Sequence, residues 1–406
     1  MKNIVIWGLG KRLKYVLDSL KFDECRVVAC IDKNKKTPIL IHNKEYIVNE
    51  IESIKKLNFD YIIVTTVYIS DIKRSICEYN VDDSKVIYFW EHDISNYPFL
   101  SPYPKMWYLA ENEIKYYEIM VKNIPYEYGT YTGPIIKSAE ELLKLIINKK
   151  KSLCRFGDGE FEIILGRDSS KFQKQNDVFT ERLKNVLLCN KTEVVIAIAD
   201  NYGSLKKYTD EAARDIRMYL TEDVRKEHME LLDMNRVYYD AYVSRAYMMY
   251  KDKRNADNIF RLYKELFCGR NIIMVEGNYT RTGYNNDLLS SASSVRRILC
   301  PDYNSFDVYS EIYNSICNIA DKEDLILITL GSVATILSYD LACEGYQAID
   351  LGQLDNEYEW YLRKCEKKEA ISGKTVSDTL NDNHLDNIQI NNDYKSQIVV
   401  KIKNKY

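Results

Sequence analysis

Two acids one residue apart give the clearest chemical signal in the chain. The run Ser152-Leu153-Cys154-Arg155-Phe156-Gly157-Asp158-Gly159-Glu160-Phe161 sets Asp158 and Glu160 between glycines, just after Arg155. At a strand end, where an apolar stretch breaks, this spacing can aim both acids at one cation, or one at the cation and one at a neighbour. Hard oxygen ligands favour Mg²⁺ or Mn²⁺, which bridge nucleotide phosphates and offset the charge that builds on a diphosphate leaving group. The competing reading is an acidic turn in which Glu160 caps a helix.

Three more segments have the same character. Glu276-Gly277-Asn278-Tyr279-Thr280-Arg281-Thr282-Gly283-Tyr284-Asn285-Asn286-Asp287 follows the apolar run 271–275. There Arg281 suits a phosphate, and Asp287 suits either the site or a helix cap. Gly331-Ser332-Val333-Ala334-Thr335 is a glycine-plus-hydroxyl turn entering a helix, able to hold phosphate on backbone N–H groups. Asp350-Leu351-Gly352-Gln353-Leu354-Asp355-Asn356-Glu357-Tyr358-Glu359-Trp360 supplies acids as general bases and two aromatics to stack on a sugar. Its alternative is a surface turn followed by a helix whose aromatics enter the core. At the chain start, Gly8 and Gly10 follow an apolar run and Asp32 ends the next one, the pattern of a dinucleotide loop and its ribose acid. The third fingerprint glycine is missing, since Leu13 stands there, and a tight strand–helix turn explains Gly8 and Gly10 without a ligand.

Such loops need parallel sheets behind them. Residues 3–7, 26–32, 61–66 and 85–89 read as strands with helical stretches between, 11–20 among them, so 1–92 forms one Rossmann-like α/β domain. Pro98, Pro102 and Pro104 mark 93–107 as a linker, and a helix is expected over 107–124, interrupted by Pro125. A second α/β domain covers 108–365, with strands at 193–199, 271–275, 297–300 and 325–330 and helices at 304–319 and 332–343. Residues 366–406 read as a polar tail or an edge strand. The expected fold class is therefore α/β, two Rossmann-like domains with mainly parallel sheets.

Composition narrows the function. The chain has 406 residues, 57 Lys plus Arg against 60 Asp plus Glu, and a net charge of −3, which excludes a polybasic nucleic-acid binder. Its longest apolar stretch, 325–339, is short of the about 20 residues a membrane span needs. No signal-peptide pattern opens the sequence. The 10 cysteines form no CxxC and the 4 histidines no HxxxH, so zinc and disulfide frameworks are not expected and a reducing cytoplasm fits. The 34 tyrosines stand out as a compositional bias.

Taken together and in order, RFGDGEF, EGNYTRTGYNNDLL, RRILCP, LGSVATILSYDLACEGYQAIDLG and YEW resemble the GT-D-type glycosyltransferases, a bacterial sugar-nucleotide-dependent family known from glycosylation of serine-rich adhesins. The likeness spans about residues 138 to 362. It implies a catalytic domain of Rossmann-like fold that moves a hexose from a UDP-sugar to a glycan or glycopeptide acceptor, on a glycoprotein or a cell-surface polysaccharide precursor. Asp158 and Glu160 stand at the family's metal-binding DxE positions for Mn²⁺ or Mg²⁺. Donor binding falls to Arg155, Gly157, Asp158, Arg281, Asn286, Asp287, Gly331 and Ser332. The base is sought among Asp355, Glu357, Glu276 and Glu359. The sequence departs from the family at Gln353, where a histidine is usual, at Thr280, where serine is, and at Gly331-Ser332-Val333-Ala334, where a GPTA-like turn is. Two other functions compete: an NAD(P)-dependent oxidoreductase using Gly8, Gly10 and Asp32, and a non-catalytic sugar-nucleotide-binding protein. A homo-oligomer is compatible with either.

Overall fold

A computed structural model describes residues 1–33, 35, 37–67, 69–167, 173, 176–376 and 390–404. The chain divides into two compact units, one up to Glu118 and one from Ile119 onward.

In the first unit, β1 (Lys2–Trp7), β2 (Cys25–Ile31), β5 (Val48–Asn49), β6 (Tyr61–Val64) and β7 (Val86–Tyr88) form a parallel sheet in the order β5-β2-β1-β6-β7. A short antiparallel hairpin, β3 (Ile39–Ile41) and β4 (Lys44–Tyr46), lies outside it, its tight turn made by His42 and Asn43 at positive φ. Ile4 and Ile6 face one apolar cluster and Val5 and Trp7 the other, so both faces of the sheet are covered. The stretch read as a linker is packed: Phe99 and Leu100 are buried in this core, and the Ser101 N–H donates to the Ser19 carbonyl. The helix expected at 107–124 runs from Tyr103 to Tyr128. Pro104 sits in its first turn, where a missing N–H costs nothing, and Pro125 sits in its last turns without ending it.

Among its described residues the second unit is built on nine parallel strands: β8 (Ile135–Lys137), β9 (Ser152–Phe156), β10 (Val194–Ile198), β11 (Val237–Asp240), β12 (Asn271–Gly277), β13 (Ser294–Cys300), β14 (Leu325–Thr329), β15 (Gln347–Asp350) and β16 (Ile398–Lys401). Their order is β16-β13-β12-β14-β15-β9-β10-β11-β8. Continuous apolar runs such as VVIAI and LILIT belong to strands buried on both faces: Ile196 and Ile198 enter one core cluster, Val195 and Ala197 the other. Beyond residue 366 the chain forms the edge strand β16 beside β13; residues 377–389 of the expected tail lie outside the described ones. Because every strand runs the same way, all the loops singled out in the sequence leave the sheet at its carboxyl edge. Ligands of open α/β sheets bind at that edge.

Candidate functional site

At the end of β9 the chain turns at Gly157 into the helix Asp158–Ile164. Glu160, third in that helix, reaches back to accept the Gly157 N–H at 2.8 Å, which fixes the helix start. Its other carboxylate oxygen accepts the Ser332 hydroxyl from the turn after β14, tying two loops together. Burial pushes the Glu160 carboxyl above its usual range, and the bonds from Ser332 and Gly157 counter part of that shift. Asp158 is exposed at the first helical position, and its carbonyl accepts the Tyr219 hydroxyl at 3.4 Å. Residues i and i+2 of a helix do not face each other, so the two acids do different things. The capping reading of Glu160 and the open carboxylate of Asp158 hold together.

No group of three or more His, Cys, Asp and Glu side chains is placed to hold a metal among the described residues. The donor set still suits Mg²⁺ or Mn²⁺, which take one or two carboxylates and complete their shell with water and substrate phosphates. Asp158 supplies the exposed hard oxygen, and Glu160 stands beside it with both oxygens already engaged.

Arg155 does not face the opening as a phosphate ligand. Its Nε and Nη2 donate to the Asp350 carbonyl and carboxylate at 3.0 and 2.8 Å, and its Nη1 donates to Ser244 Oγ at 2.8 Å. Asp350, buried at the end of β15, also accepts the Gly352 N–H at 3.0 Å and the Thr335 hydroxyl at 3.3 Å. Arg155 and Asp350 thus lock β9, β15 and the turn at 241–244 beneath the site. Ser244 was not legible in the sequence, and neither was the clamp that Asp350 and Thr335 make, because Arg155 stands 89, 195 and 180 residues from these three.

The base reading of Glu276 is corrected. This side chain is 0 % exposed and accepts from Arg297 Nη1 at 2.5 Å, the Tyr394 hydroxyl at 2.9 Å and the Thr282 N–H at 2.6 Å. It anchors the loop after β12, with both carboxylate oxygens engaged. Arg281, φ +51°, is buried and donates to the Gly373 carbonyl at 2.7 Å, an inward contact instead of the outward phosphate contact expected. Asp287 accepts Lys264 Nζ and the Tyr358 hydroxyl, both at 2.6 Å, and so ties its loop to the helix Leu354–Arg363.

That helix carries the remaining acids, and it turns them inward as well. Asp355 accepts the Gly283 N–H at 2.9 Å, Asn286 Nδ2 at 2.8 Å and Lys374 Nζ at 2.6 Å. Glu359 takes the same Asn286 and Lys374 at 2.8 and 2.9 Å. Burial alone would raise the Glu359 carboxyl, but Lys374, Asn286 and Arg363 bring it below its ordinary value. Glu357 is 0 % exposed and accepts the Tyr247 and Met248 N–H groups at 2.9 and 2.8 Å; burial raises its carboxyl. Asp355 is buried with both carboxylate oxygens engaged, whereas Glu357 is buried with one oxygen engaged and the other without a hydrogen-bond partner among the described residues. Tyr358 and Trp360 pack in the core, with Trp360 Nε1 on the Glu369 carbonyl at 2.9 Å, so the core reading of these aromatics is the right one. Lys374 is the residue the sequence hid: 1 % exposed, it sits among Lys-rich segments that read as a solvated tail.

The short helix at 158–164 is braced by His228, whose ring stacks on Phe161 at 3.9 Å between centroids. Its two nitrogens pair with the hydroxyls of Tyr202 and Tyr219 at 2.8 and 3.1 Å. Gly331, φ +53°, and Ser332 open the helix Val333–Cys343. In the first unit, Gly8 has φ +99°, and a Cβ there would stand 2.8 Å from Thr65 Oγ1. Asp32 accepts the Leu9 N–H at 2.6 Å and the Lys35 N–H at 2.9 Å, so its carboxylate pins the glycine loop.

Known proteins resemble this chain in sequence and fold. The family described as Glycosyltransferase GT-D fold matches residues 153–379, and one described as C2185-like, N-terminal matches 1–87. A probable glycosyl transferase Gly of Streptococcus gordonii is 31% identical over 272 residues, 66% of this chain and 39% of that protein. Glycosyltransferase GlyD of Streptococcus pneumoniae serotype 4 is 31% identical over 277 residues, 66% of this chain and 33% of that protein. This chain therefore spans well under half the length of either relative. A solved structure in which domain of unknown function 1792 has a distinct glycosyltransferase fold aligns with a TM-score of 0.63 at 31% identity, over 67% of this chain and 97% of its own. A glycosyltransferase of the same domain from Streptococcus sanguinis aligns with a TM-score of 0.63 at 29% identity, over 67% and 100%. With more than half of its residues inside the matched family, this chain belongs to the glycosyltransferases of GT-D fold.

Proposed function

We propose that the second unit transfers a hexose from a UDP-sugar to a glycan acceptor, on a glycoprotein or a cell-surface polysaccharide precursor, with Mn²⁺ or Mg²⁺ held at Asp158. The observation that carries this reading is the meeting of the turns after β9 and β14 at one sheet edge, joined through Ser332 and Glu160 with the Asp158 carboxylate left open.

A bound divalent ion would neutralise the charge that develops on the departing diphosphate. The chain's own residues supply position and rigidity. Glu160 fixes the start of the helix that presents Asp158 and holds Ser332 beside it. Arg155 and Asp350 clamp the strands below. Asp355, Glu359 and Lys374 hold the loop 283–286. Orientation of donor and acceptor, which lowers the barrier by several kcal/mol when geometry is exact to a fraction of an ångström, is what this scaffold provides. The 10 cysteines, without paired spacing, suit a reducing cytoplasm as the place of action.

Incubation of the full chain with a panel of UDP-sugars, Mn²⁺ or Mg²⁺ and glycan acceptors, read by mass spectrometry, tests the proposal. A metal-dependent hexose addition that disappears in Asp158→Asn is the expected result. Full transfer by that variant, or activity indifferent to EDTA, would overturn the metal assignment.

A further inference from the structure

The first unit contains a cleft of about 990 Å³ that the transfer reaction leaves without a role. It lies at the carboxyl ends of β1, β2 and β6. The chain leaves β1 for β2 on one side and returns to β6 on the other, so these ends form a topological switch point, the crevice where open α/β sheets take ligands.

The lining divides by chemistry. Among the described residues, Lys11, Arg12, Lys14 and Lys33 bring four cations to it. Arg12 is aimed by its Nε bond to the Tyr108 hydroxyl at 2.8 Å, and among the described residues its two terminal nitrogens make no hydrogen bond. Glu50 and Glu52, just after β5, stand in the lining near Ile31 and Ile51. The loop itself is preformed by the protein: Asp32 holds Leu9, and Thr65 donates to the Gly8 carbonyl at 2.5 Å. Gly10 meets no atom within 4 Å of a built Cβ, so the fold itself has no need of a bare backbone there.

We propose that this cleft is a second small-molecule site, one that binds a nucleoside diphosphate or a molecule containing one. The phosphates lie against Lys11, Arg12 and Lys14, the base rests on the isoleucines, and the ribose hydroxyls donate to Glu50 or Glu52. Asp32 does not take the ribose, because its carboxylate already holds the loop. This departs from the usual dinucleotide arrangement and makes Arg12 the principal phosphate contact.

Isothermal titration of the full chain carrying Asp158→Asn, with UDP, ADP and NADH as separate probes, tests the site apart from the transferase reading. At least one probe should bind at one site per chain with a Kd below about 1 mM, and the affinity should fall at least about tenfold in both Gly10→Glu and Arg12→Glu. Gly10→Glu projects charge and bulk into the cleft from a position with open space, so its thermal unfolding should match that of the parent. Binding by none of the three probes, or binding unchanged in two folded variants, would overturn the proposal. Loss of transferase activity in Asp158→Asn has no bearing on either outcome.

Discussion

A Cβ built on Gly352 would stand 2.1 Å from Arg155 Nη2 and 2.5 Å from its Cζ. The guanidinium lies flat against a backbone that has no side chain, and Gly352 holds φ +51°, which L side chains rarely adopt. Gly352→Ala is therefore strained twice, by conformation and by collision with the group that joins Asp350 to Ser244. We expect a loss of about 2 kcal/mol or more in unfolding free energy and a drop in transfer rate. Chemical denaturation checks the first, and Gly345→Ala, also at positive φ but with open space around its Cβ, provides the comparison that has strain without collision.

Lys374 bridges two carboxylates from inside the protein, 2.6 Å from Asp355 and 2.9 Å from Glu359. Lys374→Met keeps the volume and removes the charge, leaving two buried acids beside Asn286. Breaking such a cluster costs about 3–5 kcal/mol. The double variant Lys374→Met with Glu359→Gln should recover part of that loss, since only one buried carboxylate then lacks its cation. Equal stability of the single and double variants would show that the ammonium and Glu359 are not coupled.

Much of this architecture can be read from the residues alone. Apolar runs such as 194–198 and 325–329 have only one comfortable place, a strand covered on both faces, and the polar loops that follow them must then share one edge. What the residues could not convey is which acids are open. Glu276, Asp355, Glu357 and Asp158 look alike in sequence, yet three of them are buried against partners and one is exposed. The distinction depends on groups such as Tyr394, 118 residues from Glu276, and no local pattern encodes that separation. The many tyrosines find part of their explanation here: Tyr394, Tyr358, Tyr202 and Tyr219 each place a hydroxyl on a carboxylate or an imidazole. The prolines misled for a local reason, since Pro104 occupies a helix start that proline favours.

The two acids of the DxE pair should separate by experiment. Asp158→Asn leaves an exposed side chain of the same size and should unfold like the parent, while transfer falls by about 10²-fold or more. The Mn²⁺ concentration for half-maximal activity should rise in the same variant. Glu160→Ala removes a helix cap and the anchor of Ser332, and should cost about 1 kcal/mol of stability. Its effect on the Mn²⁺ requirement should be smaller than that of Asp158→Asn. A larger effect from Glu160→Ala would assign the metal to Glu160 and reverse the roles drawn from the geometry.

His228 gives the site an acid limit. Burial, and then the nearby charges of Arg167 and Arg225, hold its imidazole at about 3, against an ordinary value of 6.5. Between those values the unfolded chain binds a proton that the folded chain refuses, so the contribution of the neutral ring to stability is complete above about pH 6.5 and is lost as pH falls towards 3. Protonation would also remove the acceptor that one of Tyr202 and Tyr219 needs, loosening the support of Phe161 and with it the helix that presents Asp158. His228→Phe gives up both hydroxyl contacts and should be less stable than the parent at pH 7.5. The gap between the two proteins should narrow steadily as the pH is lowered from 6.5 to 4, because only the parent carries the penalty of an imidazole that cannot charge. Unfolding free energies measured for both proteins at several pH values decide the matter, and a gap that stays constant over that range would mean that the ring takes up its proton without leaving the fold.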